Sequence, residues 1–198
     1  ANQFYESWWR QASSEPEQLR QRMAFALSQI FVISLADPAV DVRGAASYYD
    51  MLQRNALGNF RTLLDEVTLH PMMGRYLTYL GNRKEDTAGT RTPDENYARE
   101  VMQLMTIGLV ELNADGTPRT DAGGQPIPTY SPADVAGLAK VFTGLSWYHP
   151  TPTNNTFFGG GADPNRSVRP MIFYPAEHST SAKVFLGVTI PASTTVDV

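Results

Sequence analysis

Four polar side chains within the stretch Thr92–Gly108 have the types and the spacing that chemistry needs. On a helix of 3.6 residues per turn, Glu95 and Arg99 share one stripe, while Asn96 and Glu100 share a second one. A carboxylate can act as a general acid or base, and its pKa falls beside an arginine and rises on burial. Two interpretations stay open. The stretch is either a core helix with a solvated ion pair, or a helix that points Glu100 and Asn96 into a polar pocket.

Two histidines are further candidates for acid–base or metal chemistry. His70 follows Glu66 by four residues, a spacing that places two ligands on one helical face. Pro71 disfavours helical geometry at His70, which favours a histidine that ends a helix and bonds a backbone carbonyl. His178 follows Glu177 and is a second candidate, at the mouth of a site. The chain has no cysteine, so thiolate metal sites and cysteine nucleophiles are excluded. The sequence indicates no particular metal and no cofactor.

Aromatic side chains suggest binding instead of catalysis. Trp147 and Tyr148 lie in the least regular stretch, Leu145–Pro175, which is rich in proline, glycine and amides. A loop of this length is functional or packed over the core, and its composition would suit a carbohydrate or peptide groove. Trp8 and Trp9 are adjacent and can also bind sugar rings. Without a flanking polar site in the sequence, packing is the favoured interpretation for that pair.

The helix that must position the acidic and amide side chains has strong start and stop signals. Thr92 is a predicted N-cap, Pro93 occupies the first helical position and Glu95 completes a capping box. Gly108 is the predicted stop. The predicted buried face consists of Tyr97, Ala98, Val101, Leu104 and Met105.

A second strong helix is predicted over Ser14–Ser34, with a capping box formed by Ser14 and Glu17. Its second half is apolar on almost every side, which predicts burial. Arg22 lies where the polar half meets the apolar half. It either pairs with an interior carboxylate, for which Glu100 is the candidate, or lies exposed with its stem over apolar surface. The other predicted helices are Ala1–Ala12, Ala45–Ala56, Phe60–Leu69, Pro71–Leu80 and one that begins after Ser131.

Strand-like runs are few. Val110–Leu112 and Ile127–Tyr130 flank a turn-rich segment and predict a hairpin, and Val184–Ile190 predicts a strand. The fold class is therefore mainly α: a multi-helix globular bundle with a small β-hairpin excursion around 110–130 and a loop-rich C-terminal part. We expect one domain over 1–198, an incomplete portion of a larger helical domain, with a helical core at 1–144 and a loop-rich segment at 145–198.

Composition limits the classes of partner. The 198 residues carry a formal charge of −4, with acidic and basic residues interspersed. No basic patch is present to neutralise a phosphate backbone, so no nucleic-acid partner is expected. No apolar run is long enough to span a membrane, so no transmembrane segment is expected.

Several stretches, in order, resemble the bacterial domain of unknown function 1800 family (DUF1800). Pro93–Gly108 resembles its signature, in which an Asn-Tyr-Ala-Arg-Glu core precedes an apolar run and a glycine. Similar stretches are Leu19–Ser34, Tyr48–Gly81, Tyr130–Gly144 and the segment holding His178, Lys183 and Gly187. The resemblance implies no assigned reaction. It implies export in many members, hence a periplasmic, secreted or otherwise envelope-associated protein. It also implies a partner from an exported family, domain of unknown function 1501.

Two functional hypotheses follow. The first is an uncharacterised, exported or envelope-associated helical protein that serves as a binding or scaffold module for a surface polymer or a partner protein. The second is a hydrolase with catalytic Glu100 and possibly Glu95, assisted by Arg22 or Arg99 and by His70 or His178. The sequence holds no Gly-x-Ser-x-Gly elbow, no His-Glu-x-x-His and no Walker motif, so the hydrolase ranks second.

Overall fold

The computed structural model describes residues 2–14 and 16–193, and within those ranges the protein is mainly helical, as predicted. Ala1, Glu15 and Thr194–Val198, which fall inside the predicted first helix, second helix and C-terminal segment, lie outside the described residues. The helices are α1 Asn2–Ser14, α2 Gln18–Ser28, α3 Val42–Asn55, α4 Phe60–Leu69, α5 Pro71–Tyr76, α6 Asn96–Gln103, α7 Pro132–Val141 and α8 Asn154–Phe157. Two short antiparallel pairs accompany them: β1 Leu145–Ser146 with β2 Ile172–Phe173, and β3 Lys183–Phe185 with β4 Val188–Ile190.

The chain divides into two compact units, each built from two separate segments. Unit one consists of Ala1–Gly81 and Leu145–Tyr174, and unit two consists of Asn82–Gly144 and Pro175–Val198. The prediction of a single domain over 1–198 stays a prediction. None of the helices in the described part of the chain combines the length and apolarity that crossing a membrane requires.

In unit one, α3 is the element against which α2, α4 and α5 pack. Its buried face carries Tyr48, Met51 and Leu52, each no more than 2 % exposed. The Tyr48 hydroxyl donates to the Phe31 carbonyl at 2.9 Å, which satisfies the phenol inside the core. Asp41 caps α3 by accepting from the Gly44 amide at 2.8 Å, as its place near the predicted helix start suggested.

The prediction for the second helix was wrong at both ends. The helix α2 begins at Gln18 with no side-chain cap, and it ends at Ser28 instead of Ser34. The apolar second half is also not buried all round, because α2 packs through small residues such as Ala24, 1 % exposed. Large side chains such as Phe25 and Ile30 stay 46 % and 45 % exposed.

Unit two holds the central helix, which is shorter than predicted. The helix α6 begins at Asn96, and the Thr92–Glu95 capping box does not form. The Asp94 side chain accepts from the Asn96 amide at 2.8 Å instead. The backbone of Asp94 is in turn held by the buried Asn82 side chain, which accepts from its N–H at 2.8 Å and donates to its carbonyl at 3.2 Å.

The buried face of α6 was predicted almost correctly. Tyr97, Ala98, Val101 and Met105 are buried, but Leu104 is 61 % exposed. The buried stripe of α6 is shifted towards Met102, which is 2 % exposed, so Leu104 falls outside this stripe. The helix ends at Gln103, five residues before the predicted stop, and the chain turns at Gly108, which has a φ of +74° and donates its amide to the Met102 carbonyl.

The helix α7 packs directly on the backbone of β3. Ser131 and Asp134 form a capping box. A Cβ placed on Gly137 would lie 1.8 Å from the Val184 carbonyl oxygen, so only glycine permits this approach. Val184–Ile190 is not one strand, as predicted, but a hairpin, because Leu186 and Gly187 both have positive φ and form a two-residue turn.

The excursion at 110–130 is two turns in tandem. Its pairing consists of three isolated bridges, Val110 with Pro128, Leu112 with Pro118 and Thr120 with Pro126. The turn closed by the Asn113 amide on the Thr117 carbonyl recurs eight residues later, where the Asp121 amide bonds the Gln125 carbonyl. Each turn places a glycine, Gly116 or Gly124, at positive φ.

Candidate functional site

In unit one, a groove of about 430 Å³ runs along one side of α3. Side chains from α1 and α2 complete its walls. Because α1 and α2 pack on each other and α2 packs on α3, three helices fix its shape. The lining residues are Gln3, Phe4, Ser7, Trp8, Gln11, Gln21, Val42, Arg43, Ala46, Tyr49, Asp50 and Gln53. We call this the α3 groove.

One wall of the α3 groove is aromatic. The rings of Phe4 and Tyr49 meet edge to face at 5.2 Å, and Trp8 packs against Phe25 at 5.2 Å. The indole N–H of Trp8 is buried and has no acceptor among the residues that the structure describes. A buried donor without a partner costs free energy, and this atom is enclosed by protein, so the groove can present only the indole ring to a ligand.

The α3 groove also carries amides and a carboxylate. Gln21, only 4 % exposed, donates to the Gln11 side chain at 2.7 Å, and Gln11 donates to the Ser7 hydroxyl at 3.2 Å. Burial raises the pKa of Asp50, with Arg54 acting in the opposite direction. These groups are donors and acceptors of hydrogen bonds and can bind a polar, uncharged ligand.

The α3 groove continues towards the C-terminal end of α3. A second cavity of about 500 Å³ is lined by Arg20, Asp50, Gln53 and Arg54, and it shares Asp50 and Gln53 with the groove. Arg20 donates to the Gln53 carbonyl at 3.3 Å and pairs with Glu17 at 3.0 Å. The combined depression is therefore elongated, which suits an extended ligand.

Sequence reasoning favoured packing for Trp8 and did not identify the polar groups beside it. Gln3, Ser7 and Gln11 recur every four residues on α1, one position away from Phe4 and Trp8, and that pattern was available in the sequence. The groove residues on α2 and α3 lie far from α1 in the sequence, so no local sequence pattern identifies them.

His70 lies at the junction of α4 and α5 and is 7 % exposed. Its Nδ1 accepts from the Met72 amide at 3.2 Å, so it caps α5 and is bonded to an amide instead of the predicted carbonyl. Burial lowers the pKa of His70 from 6.5 to about 4, with the positive charge of Arg54 acting in the same direction and Asp41 opposing both. The ring is thus neutral near neutral pH, with its proton on Nε2.

This tautomer does not suit a nucleophilic serine. Ser47 Oγ lies 3.5 Å from His70 Nε2, the arrangement of a serine and its base. A base must accept the hydroxyl proton, yet Nε2 already carries one because Nδ1 is occupied as an acceptor. The pair can donate hydrogen bonds, but it cannot activate Ser47 in this state.

Replacing His70 with asparagine is expected to reduce the acid sensitivity of the fold. Because folding lowers the pKa of His70, the unfolded chain binds the proton more readily, and stability falls as the pH drops from 6.5 to about 4. The loss attributable to His70 is about 3 kcal/mol. Asparagine keeps a capping acceptor but does not titrate.

Urea unfolding of both proteins at a series of pH values measures this effect. As the pH falls from 6.5 to about 4, the free energy of unfolding of wild type should fall relative to that of His70→Asn by about 3 kcal/mol. If the free energies of unfolding of the two proteins change with pH in parallel, then folding does not change the pKa of His70.

His178 lies in a buried polar network of unit two. Its Nδ1 is 2.7 Å from the Thr143 carbonyl oxygen, and the neighbouring Ser179 donates to Glu85 at 2.9 Å. Arg83 pairs with the side chain of Glu177 at 2.8 Å. Although burial alone would raise the pKa of Glu85, hydrogen bonds from Ser181 and Ser179 lower it overall. The network ties residues 177–181 to the end of α7.

The four polar side chains at the start of α6 form an exposed pair and a half-buried pair. Glu95 and Arg99 form the predicted pair at 3.0 Å, with both side chains more than 40 % exposed, so the pair contributes little to stability. Asn96 and Glu100 are half-buried. The Oε2 atom of Glu100 is buried and has no hydrogen-bond partner in the described part of the chain.

The remaining predicted site residues lie in unit one. Arg22 is exposed on α2, the second of the two alternatives that the sequence left open. Trp147 is 8 % exposed, and the Arg166 guanidinium lies 4.5 Å from its ring centre. Arg169 stacks on Tyr148 at 4.6 Å. The cavity beside Trp147 and Tyr148 measures only about 10 Å³, so this loop packs over the core and leaves no room for a ligand.

The predicted catalytic residues are thus distributed over both units: His70 belongs to unit one, whereas Glu95, Arg99, Glu100 and His178 belong to unit two. Within residues 2–14 and 16–193, no three histidine, aspartate or glutamate side chains are grouped so that they could hold a metal ion.

A family model described as "Protein of unknown function (DUF1800)" matches residues 1–198. No curated protein and no solved structure is significantly similar to this chain.

Proposed function

The chain belongs to the DUF1800 family of proteins of unknown function, and from that premise we propose that it is a binding module for a hydroxyl-rich polymer, a glycan, held in the α3 groove. The observation that carries the proposal is the pairing of an aromatic wall with amide side chains in one elongated depression. Sugars present apolar ring faces and hydroxyl edges, and such a groove offers a partner for each.

Individual groups support this assignment. Trp8 lines the groove with its aromatic ring, on which the apolar face of a sugar can pack. Gln21 and Gln11 are already bonded to each other, so their remaining donors and acceptors are fixed in orientation. Fixed polar groups lose little conformational entropy on binding, which favours affinity.

The size and polarity of the groove favour a glycan over a protein partner. The groove continues into the cavity bounded by Arg20 and Arg54, which gives room for several sugar units. Protein interfaces are usually depleted in charge at their centre, whereas this depression has Asp50 between its two parts. A partner protein is the competing occupant.

The setting of this activity is also a proposal. We place the protein in the bacterial cell envelope, periplasmic or secreted, where glycans are abundant, with an exported protein of the domain of unknown function 1501 family as its partner. Both statements rest on the family resemblance. Fractionation of cells that express the full-length protein tests the location.

Calorimetric titration with neutral and N-acetylated oligosaccharides of increasing length tests the glycan proposal. We expect the Kd to fall with length until the groove is filled. Replacing Trp8 with alanine should weaken binding by about tenfold or more, because aromatic anchors dominate such contacts. Gln53→Ala, which changes a groove residue without touching the core, should weaken it less.

Trp9→Ala is the matched control. Trp9 is 63 % exposed and does not line the groove, but its ring packs edge to face on Trp8 at 4.8 Å, so its removal should weaken binding much less than the removal of Trp8. The proposal would be contradicted if Trp8→Ala and Trp9→Ala lost the same affinity, or if the wild-type protein bound none of the oligosaccharides. Binding of a protein from the envelope by a chain without affinity for sugars would assign the groove to a protein partner.

The hydrolase alternative stays a prediction. The observation in its favour is the half-buried Glu100 carboxylate, with one oxygen that has no partner among the described residues. Glu100 lines none of the cavities described above, and the candidate bases lie in separate segments of the chain. The binding role therefore ranks first.

A further inference from the structure

We propose that unit one has a second ligand site, at the junction of α4 and α5, which binds a small carboxylate with an aliphatic body. The site is a cavity of about 350 Å³, within the lower part of the range of small-molecule pockets. Its lining residues are Ser47, Met51, Arg54, Glu66, Leu69, His70, Val168 and Pro170. We call it the His70 cavity.

Hydrogen-bond donors converge on the His70 cavity. Because His70 Nδ1 accepts from the Met72 amide, the single ring proton is on Nε2, which lies on the side of Ser47. The Ser47 hydroxyl is a second donor, 3.5 Å from Nε2. Arg54 adds a guanidinium with five N–H donors. A cavity that presents donors from three side chains is complementary to a carboxylate.

The other wall of the His70 cavity is apolar. Met51 is 2 % exposed and presents its thioether from α3. Leu69 and Pro170 are held together because the Leu69 carbonyl accepts from the Met171 amide at 2.7 Å. Val168 completes this wall. All four side chains lack hydrogen-bonding groups, so the ligand body that they fit is aliphatic.

Glu66 is the group that opposes an anionic ligand. It occupies one Arg54 nitrogen at 3.2 Å, in a pair whose side chains are 64 % and 40 % exposed. An exposed pair of this kind contributes little to stability. A ligand carboxylate would share or replace Glu66 on the guanidinium, so removal of the Glu66 charge should tighten binding. This gain is the most discriminating consequence of the proposal.

Ligand-observed NMR with isocaproate as the probe, and isocaproamide as its neutral counterpart, tests the site on the full chain. Wild-type protein should bind isocaproate and should bind isocaproamide at least tenfold more weakly, because only the acid can accept from all the donors. Glu66→Gln should tighten isocaproate binding several-fold, and Arg54→Gln should weaken it about tenfold. Val168→Phe, which fills the cavity from its apolar wall, should abolish binding of both probes.

Arg61→Gln is the matched control, because Arg61 is an exposed arginine of α4 that does not line the cavity. It should leave the affinity unchanged. Equal binding of the acid and the amide, or binding that survives Val168→Phe, would overturn the proposal, as would a loss of affinity in Glu66→Gln. Trp8→Ala should have no effect here. Arg54 also borders the continuation of the α3 groove, so Arg54→Gln reports on both sites, and the Trp8, Glu66 and Val168 variants distinguish them.

Discussion

Replacing Gly137 with alanine is expected to destabilise unit two by about 3 kcal/mol or more, because the added methyl group overlaps backbone atoms. The new Cβ would lie 1.8 Å from the Val184 carbonyl oxygen and 2.7 Å from its carbonyl carbon. Both neighbours are backbone atoms, so no side-chain rotation relieves the overlap. The helix α7 and the β3–β4 hairpin must therefore separate, and contacts on both are lost.

Thermal or urea unfolding followed by circular dichroism measures this effect. Gly58→Ala is the control, because its Cβ would meet the nearest atom, the Asn55 carbonyl oxygen, at an ordinary 3.4 Å. That variant should change stability only slightly. If Gly137→Ala unfolds at the same urea concentration as Gly58→Ala, then the close packing of α7 on β3 is not required for the fold.

Replacing Asn82 with alanine has the second largest expected effect, about 2–3 kcal/mol. The Asn82 side chain is 7 % exposed and makes two bonds to the Asp94 backbone, one as acceptor at 2.8 Å and one as donor at 3.2 Å. Alanine would leave an amide and a carbonyl without their partner. The turn that leads into α6 would lose its anchor, and the positions of Asn96 and Glu100 would be less well defined.

Asn113→Ala provides the comparison for unfolding measurements. Asn113 also donates through its side chain, to the Thr117 hydroxyl at 3.0 Å, but it does so on the surface. Water replaces that bond, so the cost should stay below about 1 kcal/mol. Similar costs for the two asparagine variants would mean that the buried bonds of Asn82 contribute no more than an exposed one.

Two capping boxes with similar sequences show how far local patterns determine this fold. The box at Ser131 and Asp134 forms, whereas the one at Thr92 and Glu95 does not. The difference comes from Asn82, which binds the Asp94 backbone from outside the helix and delays the helix start. A contact between residues twelve positions apart overrides the cap, and the capping pattern contains no information about it.

The same limit applies to the candidate site. For Trp8 the sequence favoured packing over sugar binding, although α1 carries its own polar residues at helical spacing. The amide of Gln53 and the carboxylate of Asp50 come from α3, and their place in the groove depends on how three helices pack. In contrast, the arginines that stack on Trp147 and Tyr148 convert predicted binding residues into packing residues.

The interleaved order of the two units has a consequence for synthesis of the chain. Unit one needs Leu145–Tyr174 to be complete, and unit two needs residues that follow Tyr174. A ribosome must therefore release most of the sequence before either unit can close, and non-local contacts of this kind slow folding. Val40, Ala45 and Met72, which share a buried cluster with Trp147, then stay accessible to chaperones until the later segment has emerged.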